Sequence, residues 1–195
     1  MAQTLKGTKT ANNLLTAFAG ESQATMRYTY YAKVAKEEGY VQIRDIFEET
    51  ARNEREHAKR FYDFLKADLQ GEALKVEWDF PVNLADTATN LLASAEGEHD
   101  EFVSMYPGYA DIAEEEGFNM VAKAFREIAK VENAHEIRYR KLLQNIKDNT
   151  VFKKEGPTRW KCGNCGYIYE GEEAPQVCPA CLHKQEYFEV FVETY

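Results

Sequence analysis

The sequence predicts a mainly α protein in two units. An antiparallel bundle of four long helices, with one extended connection between the second and third, precedes a small β domain held together by metal. Three observations carry this reading. Apolar residues recur at helical spacing in four blocks that end near residue 147, and all four cysteines, Cys162, Cys165, Cys178 and Cys181, lie beyond that point. The third is an internal repeat: residues 31–61 set against 109–139, at a constant offset of 78, give 12 identities in 31 positions. Glu37/Glu115, Gly39/Gly117, Phe47/Phe125, Glu54/Glu132 and His57/His135 are among them. Two copies of one helical hairpin, joined by a long crossover, make a four-helix bundle.

The first block, residues 10–38, ends at "EEGY", where Gly39 is placed to cap it. A second runs from 41 to 68, and "DLQGEALKVEWDFPVN" then interrupts the pattern with Gly71 and Pro81. A third starts near Asn83 and reaches Met105, where Pro107 and Gly108 are expected to bend the path before "EEEGF" closes it. The fourth spans 119–147. In "VFKKEGPTRW", periodicity gives way to aromatic and Gly-rich text. The expected division is a bundle over 1–149, a linker over 150–157 and the cysteine domain over 158–195.

A net charge of −9 with no basic cluster argues against nucleic acid or anionic membrane as partner. No run approaches the ~20 apolar residues of a membrane span, and the first residues lack the apolar core of a signal peptide. A cytoplasmic protein is expected, and in a reducing compartment clustered cysteines point to metal rather than disulfides.

Steps of three and four residues trace the inward seam of each helix. The seams read Leu14, Phe18, Glu21, Thr25, Tyr28, Ala32, Ala35; Ile43, Phe47, Thr50, Glu54, His57, Phe61, Phe64; Leu84, Thr87, Leu91, Ser94, Glu98, Glu101, Met105; and Val121, Phe125, Ile128, Glu132, His135, Tyr139, Leu142, Ile146. Most glutamates on helices are solvated, but Glu21, Glu54, Glu98, Glu101 and Glu132 sit where these helices otherwise place mostly apolar residues. Unpaired, five buried carboxylates would cost more than the ~5–15 kcal/mol stability of a domain. Cations must accompany them. Five carboxylates and two imidazoles suit a pair of first-row metals, iron or manganese rather than zinc or copper, with Glu54 and Glu132 able to bridge. This is the ligand pattern of ferritin-like di-iron bundles with one carboxylate, Glu101, to spare. "CGNCGYIYEG" and "CPACLH" form two Cys-x-x-Cys knuckles, a tetrathiolate site for structural zinc or redox-active iron. So small a core needs its metal in either case.

Taken together, the chain resembles the rubrerythrins over essentially its full length. The residues that carry the likeness are "AFAGESQA" around Glu21, "EREHAKR", "GEHDEF", "MYPGYA", "ENAHE" and the rubredoxin-like knuckles. The resemblance implies a ferritin-like bundle holding two irons and a rubredoxin-like domain holding a third, which zinc can replace. It implies reduction of hydrogen peroxide to water, with electrons from a rubredoxin or an NAD(P)H-dependent flavoprotein reductase, in a homodimer or higher homo-oligomer. It also implies that Glu54 and Glu132 bridge, that Glu21 and His135 complete one metal's sphere, and that Glu98 and Glu101 complete the other's. His57 would replace Glu101 on reduction, and Tyr28 and Tyr106 would hydrogen-bond ligand carboxylates; Glu101, His57, Tyr28 and Tyr106 are therefore the expected catalytic residues. Leu182 follows Cys181 where rubredoxins usually carry glycine. Two other readings compete: a ferritin-like ferroxidase that stores iron, and a manganese catalase-like site with a structural zinc ribbon.

Overall fold

The computed structural model describes residues 4–195; the first three residues of the expected bundle domain lie outside the described residues. Helices α1 (Lys9–Glu37) and α2 (Val41–Leu69) form the first hairpin. After a long crossover come α3 (Thr87–Asp100), a π-helical turn (Glu101–Met105), α4 (Tyr106–Glu115) and α5 (Asn119–Lys147). The Thr8 hydroxyl opens α1 by accepting the Ala11 N–H at 3.1 Å, and the Asp86 carboxylate opens α3 by accepting that of Thr89 at 2.7 Å. The two hairpin turns are built alike. Gly39 at φ 82° lets the Tyr40 N–H reach the Ala35 carbonyl at 2.8 Å, and Gly117 at φ 85° lets the Phe118 N–H reach that of Ala113 at 2.7 Å. Glycine adopts this left-handed conformation without steric cost, so the sequence repeat is also a repeat of capping geometry.

The expected bend at Pro107 is absent, because the helix runs on from Thr87 to Glu115. The Tyr106 N–H reaches back five residues to the Glu101 carbonyl, so the α-helical register is already broken where proline, lacking an N–H, would have broken it. This wide turn houses one extra residue. Glu21 and Tyr28 lie seven residues apart on α1, whereas Glu98 and Tyr106, which is Tyr28's repeat equivalent, lie eight apart.

Packed α1 on α2, and α3 with α4 on α5, bury two apolar clusters. One holds Leu14, Phe61, Tyr106 and Phe125; the other holds Tyr31, Ile43, Phe47, Leu91 and Tyr139. Burial of each such side chain contributes about 1.5–3 kcal/mol, and the carboxylates occupy the layer between the clusters.

Strands β1 (Lys153–Cys162), β2 (Ile168–Glu173) and β3 (Phe188–Val190) form an antiparallel sheet in the order β2-β1-β3. β1 begins inside the stretch read as linker, and its pairing with β2 is irregular between Lys153 and Thr158, across Gly156 and Pro157. Trp160 fills the small core and donates from Nε1 to the Gly171 carbonyl at 3.0 Å. Tyr40, at the first hairpin turn, stacks on Phe152 with ring centroids 6.5 Å apart, seating the domain against that end of the bundle.

Leu182, the departure noted in the second knuckle, adopts φ 61° with its side chain in solvent. A branched residue there carries about 1 kcal/mol of strain. Leu182→Gly should therefore raise the temperature at which the C-terminal metal-thiolate absorption is lost; a lower transition would show that the leucine stabilises the knuckle.

Candidate metal centres

Glu21, Glu54, Glu98 and Glu132 are at most 1% exposed and His135 is 4% exposed, although each helix has ample surface for charge. Their acceptor atoms converge in two groups, Glu21–Glu54–His57–Glu132 and Glu54–Glu98–Glu132–His135. Nδ1 of His57 lies 2.8 Å from Glu54 Oε2 and 3.0 Å from Glu132 Oε1. Nδ1 of His135 lies 3.2 Å from Glu54 Oε1 and 3.0 Å from Glu132 Oε2. Glu54 and Glu132 thus give one oxygen to each group, which is the arrangement of bridging carboxylates.

These atoms are close, yet the two imidazole Nδ1 atoms and both carboxylate oxygens of Glu54 and of Glu132 have no hydrogen-bond partner of acceptable direction. Atoms 2.8–3.2 Å apart whose lone pairs do not face each other face common points instead. An oxygen-rich donor set with one imidazole per point fits two iron ions, each bound by a histidine, a terminal glutamate and the shared pair.

The division between the two points differs from the expected one. Glu21 falls with His57, at 3.7 Å, and Glu98 with His135, at 3.8 Å, rather than Glu21 with His135 and Glu98 with Glu101. The cause is packing: α1 lies along α2 and α3 along α5, so each hairpin unites its own glutamate with its own histidine. Glu101 belongs to neither group. It starts the π-helical turn and lines a cleft of about 550 Å³ beside the crossover.

Each terminal glutamate is held by the other hairpin's tyrosine. The Tyr28 hydroxyl donates to Glu98 and the Tyr106 hydroxyl to Glu21. Burial and the neighbouring carboxylates hold both phenols well above their ordinary range, so they stay protonated as donors. Beside the ligands, Glu136 accepts from Arg140 Nε at 2.7 Å and pairs with His99 Nδ1 at 3.0 Å, tying α3 to α5. That clamp was not foreseen, since its residues occupy ordinary polar positions. Nor were Gln23, Arg27, Trp78 and Phe80, which wall the cleft from an outer face of α1 and from an aperiodic connection.

The metal-free cluster stores protons. Burial disfavours the charged imidazoles, but Glu132 and Glu54 outweigh it, raising His57 to about 10 and His135 to about 12. Burial and the neighbouring Glu54 lift Glu98 to about 8. Metals bind the deprotonated forms, so at pH 7 loading must expel these protons and apparent affinity must rise with pH. Anaerobic Fe(II) addition in weak buffer should acidify the solution by more than one proton per metal pair; no acidification would contradict the ligand set.

In the C-terminal domain the Sγ atoms of Cys162 and Cys181, and of Cys165 and Cys178, are 3.7 Å apart. That is too long for a disulfide and close to the edge, about 3.8 Å, of a tetrahedron with 2.3 Å metal–sulfur arms. The His183 N–H points at Cys181 and lowers its thiol to about 6. Four thiolates fit one iron.

Comparison with known proteins agrees with both sites. The family model for rubrerythrin matches residues 12–143, and that for the rubrerythrin rubredoxin-like domain matches 160–189. The chain is 62% identical to the rubrerythrin of Clostridium perfringens over 99% of its own length and 100% of the relative's. It is 51% identical to that of Nitratidesulfovibrio vulgaris over 96% and 97% of the two chains. Among solved structures, nigerythrin in a mixed-valence state superposes with a TM-score of 0.65 at 30% identity, covering 97% of this chain and 92% of that one.

Proposed function

The chain belongs to the rubrerythrin family, and from that premise we propose that it is a non-haem di-iron peroxidase that reduces hydrogen peroxide to water in oxidative-stress defence. The observation that carries this is a pair of buried ligand groups sharing Glu54 and Glu132, on the same chain as four convergent cysteines. When bound, a di-iron pair would supply the two electrons for cleavage of the O–O bond, and an iron held by the four cysteines would pass electrons singly. Glu54 and Glu132 would hold both irons, Glu21 with His57 would hold one, and Glu98 with His135 would hold the other. Glu101 would be a further oxygen donor, alternative to His57, since an anionic oxygen suits ferric iron and a neutral imidazole suits ferrous. Tyr28 and Tyr106 fix the terminal carboxylates, and with the Glu101 carboxyl they are the groups that hold protons beside the reacting oxygens.

Electrons come from a separate rubredoxin or NAD(P)H-dependent flavoprotein reductase, since the chain has no Gly-rich nucleotide fingerprint. The C-terminal domain sits by Tyr40, and the 13 helical steps from Val41 to Glu54 span roughly 20 Å. A head-to-tail homodimer, placing one copy's tetrathiolate beside the other's bundle, shortens that path. No helix among the described residues is long and apolar enough to cross a membrane, and a cytoplasmic site of action fits clustered cysteines that hold metal rather than disulfides.

The test is anaerobic peroxide consumption with and without a reductant. A peroxidase consumes peroxide in proportion to donor and evolves no oxygen. Oxygen evolution without donor indicates disproportionation, and an iron-rich particle under excess Fe(II) indicates storage. His57→Leu should slow donor-driven turnover while two irons stay bound; unchanged turnover would rule out the Glu101–His57 exchange.

A further inference from the structure

The ligand cluster is nearly sealed, yet Glu101 is partly exposed and forms part of the wall of the 550 Å³ cleft. It follows the ligand Glu98 by one helical turn, and Arg27 lines the same cleft. Arg27 is fixed in place, donating from Nε to Gln23 Oε1 at 2.7 Å, and Gln23 in turn donates to the Pro81 carbonyl at 2.7 Å. That second bond ties the crossover to α1, so that Trp78 and Phe80 line the cleft from the crossover side, with Met105 and Ile112 from the helix opposite. One part of the cleft thus carries Glu101 and Arg27, next to the metal ligands. The remaining wall is mixed, the apolar side chains of Trp78, Phe80, Met105 and Ile112 standing beside Asp79, Asp100 and Ser104, and the volume is that of a site for an organic molecule, far more than hydrogen peroxide requires.

We propose that this cleft admits small organic hydroperoxides, the alkyl or aryl group lying against Trp78 and Phe80 and the hydroperoxide group beside Glu101 and Arg27. The proposal rests on the peroxidase reading and extends its substrate class. In the reaction ROOH takes up two electrons and two protons: the O–O bond breaks, two O–H bonds form, and ROH and water leave. The electrons are those that the external reductase supplies through the tetrathiolate iron. The ionic contacts serve either peroxide, whereas the apolar walls favour only the organic one.

Two glycines make the cleft testable. Gly97 and Gly108 both line it, and a Cβ built at either meets nothing within 4 Å. Gly108 lies within α4, where leucine is the better helix former, so Gly108→Leu should fill the space without harming the fold. The binding probe is 2-phenyl-2-propanol, the unreactive alcohol corresponding to cumene hydroperoxide, titrated into the iron-loaded, oxidised protein. Trp78 is half-exposed in the cleft wall and the other tryptophan, Trp160, is buried in the C-terminal domain, so intrinsic emission reports occupancy. The expected result is a saturable emission change that Gly108→Leu weakens about 10-fold or more. Together with it, kcat/KM for cumene hydroperoxide should fall about 10-fold relative to that for hydrogen peroxide. Trp78→Ser, on the exposed crossover, should lower the same ratio by removing apolar contact. Turnover of hydrogen peroxide without any reaction of cumene hydroperoxide, or an emission change that Gly108→Leu leaves intact, overturns the cleft assignment and leaves the peroxidase reading standing. No turnover of either peroxide overturns both.

Discussion

Glu132→Ala should strip the bundle of both its metals while leaving the C-terminal iron in place, lowering the iron content from three per chain to about one. Glu132 is fully buried, and its two oxygens lie 3.0 Å from His57 Nδ1 and 3.0 Å from His135 Nδ1, one on each side of the cluster. Its removal takes a ligand from both positions at once. The loss of affinity should exceed the roughly 10- to 100-fold typical of residues that merely support a ligand, and peroxide turnover should fall with it. Unfolding is not the expected cause. In the metal-free protein Glu132 repels the other carboxylates but also attracts the protonated His57 and His135, so deleting it should shift the thermal transition of the apo form modestly rather than unfold the bundle. Elemental analysis and a melting curve on the same sample separate these effects. Retention of two bundle irons would show that the shared carboxylates do not bridge.

Cys181→Ala should abolish sustained turnover while sparing a first one. The knuckles hold their sulfurs 3.7 Å apart around a core whose large members are Trp160 and Phe188, too little apolar surface to order the domain without metal. Losing one thiolate should release the iron, eliminate the ferric-thiolate colour and loosen β1–β3, while α1–α5 and their ligands stay intact. Chemically reduced bundle sites should then react once with peroxide at a near-normal rate. Steady-state turnover with the physiological type of donor should drop by at least about 100-fold, because electrons delivered at the protein surface no longer reach the bundle. Undiminished donor-driven turnover would assign the C-terminal metal a structural role.

Much of this was legible in the chain before any coordinates. Carboxylates at seam positions are costly enough that their placement can be read directly, and the duplicated Glu-x-x-His fixed which helices carry the histidines. The hairpin caps were readable because Gly39 and Gly117 recur at the repeat offset, and the four cysteines because knuckle spacing is itself a geometric constraint. The allotment of ligands to the two positions was not readable. Periodicity says which face points inward but not which neighbour it meets, and the pairing of Glu21 with His135 that the resemblance implies gives way to packing of α1 on α2, which sets Glu21 by His57. The run-on of α3 into α4 also escaped. Pro107 is a strong breaker signal, and the compensating π-helical turn shows only as one extra residue between Glu98 and Tyr106. The cleft left no trace in the sequence, since Gln23, Arg27, Trp78 and Phe80 come together only once the crossover has folded back onto α1.

The most direct measurement is stopped-flow visible absorption of the anaerobically reduced, iron-loaded protein mixed with hydrogen peroxide, followed at the ferric-thiolate band of the C-terminal iron. Rapid growth of that band, with water rather than oxygen as product, is the result expected when electrons leave the cysteine-bound iron for the bundle. Consumption of peroxide with no change at that band would contradict electron transfer between the two sites and favour disproportionation or iron storage.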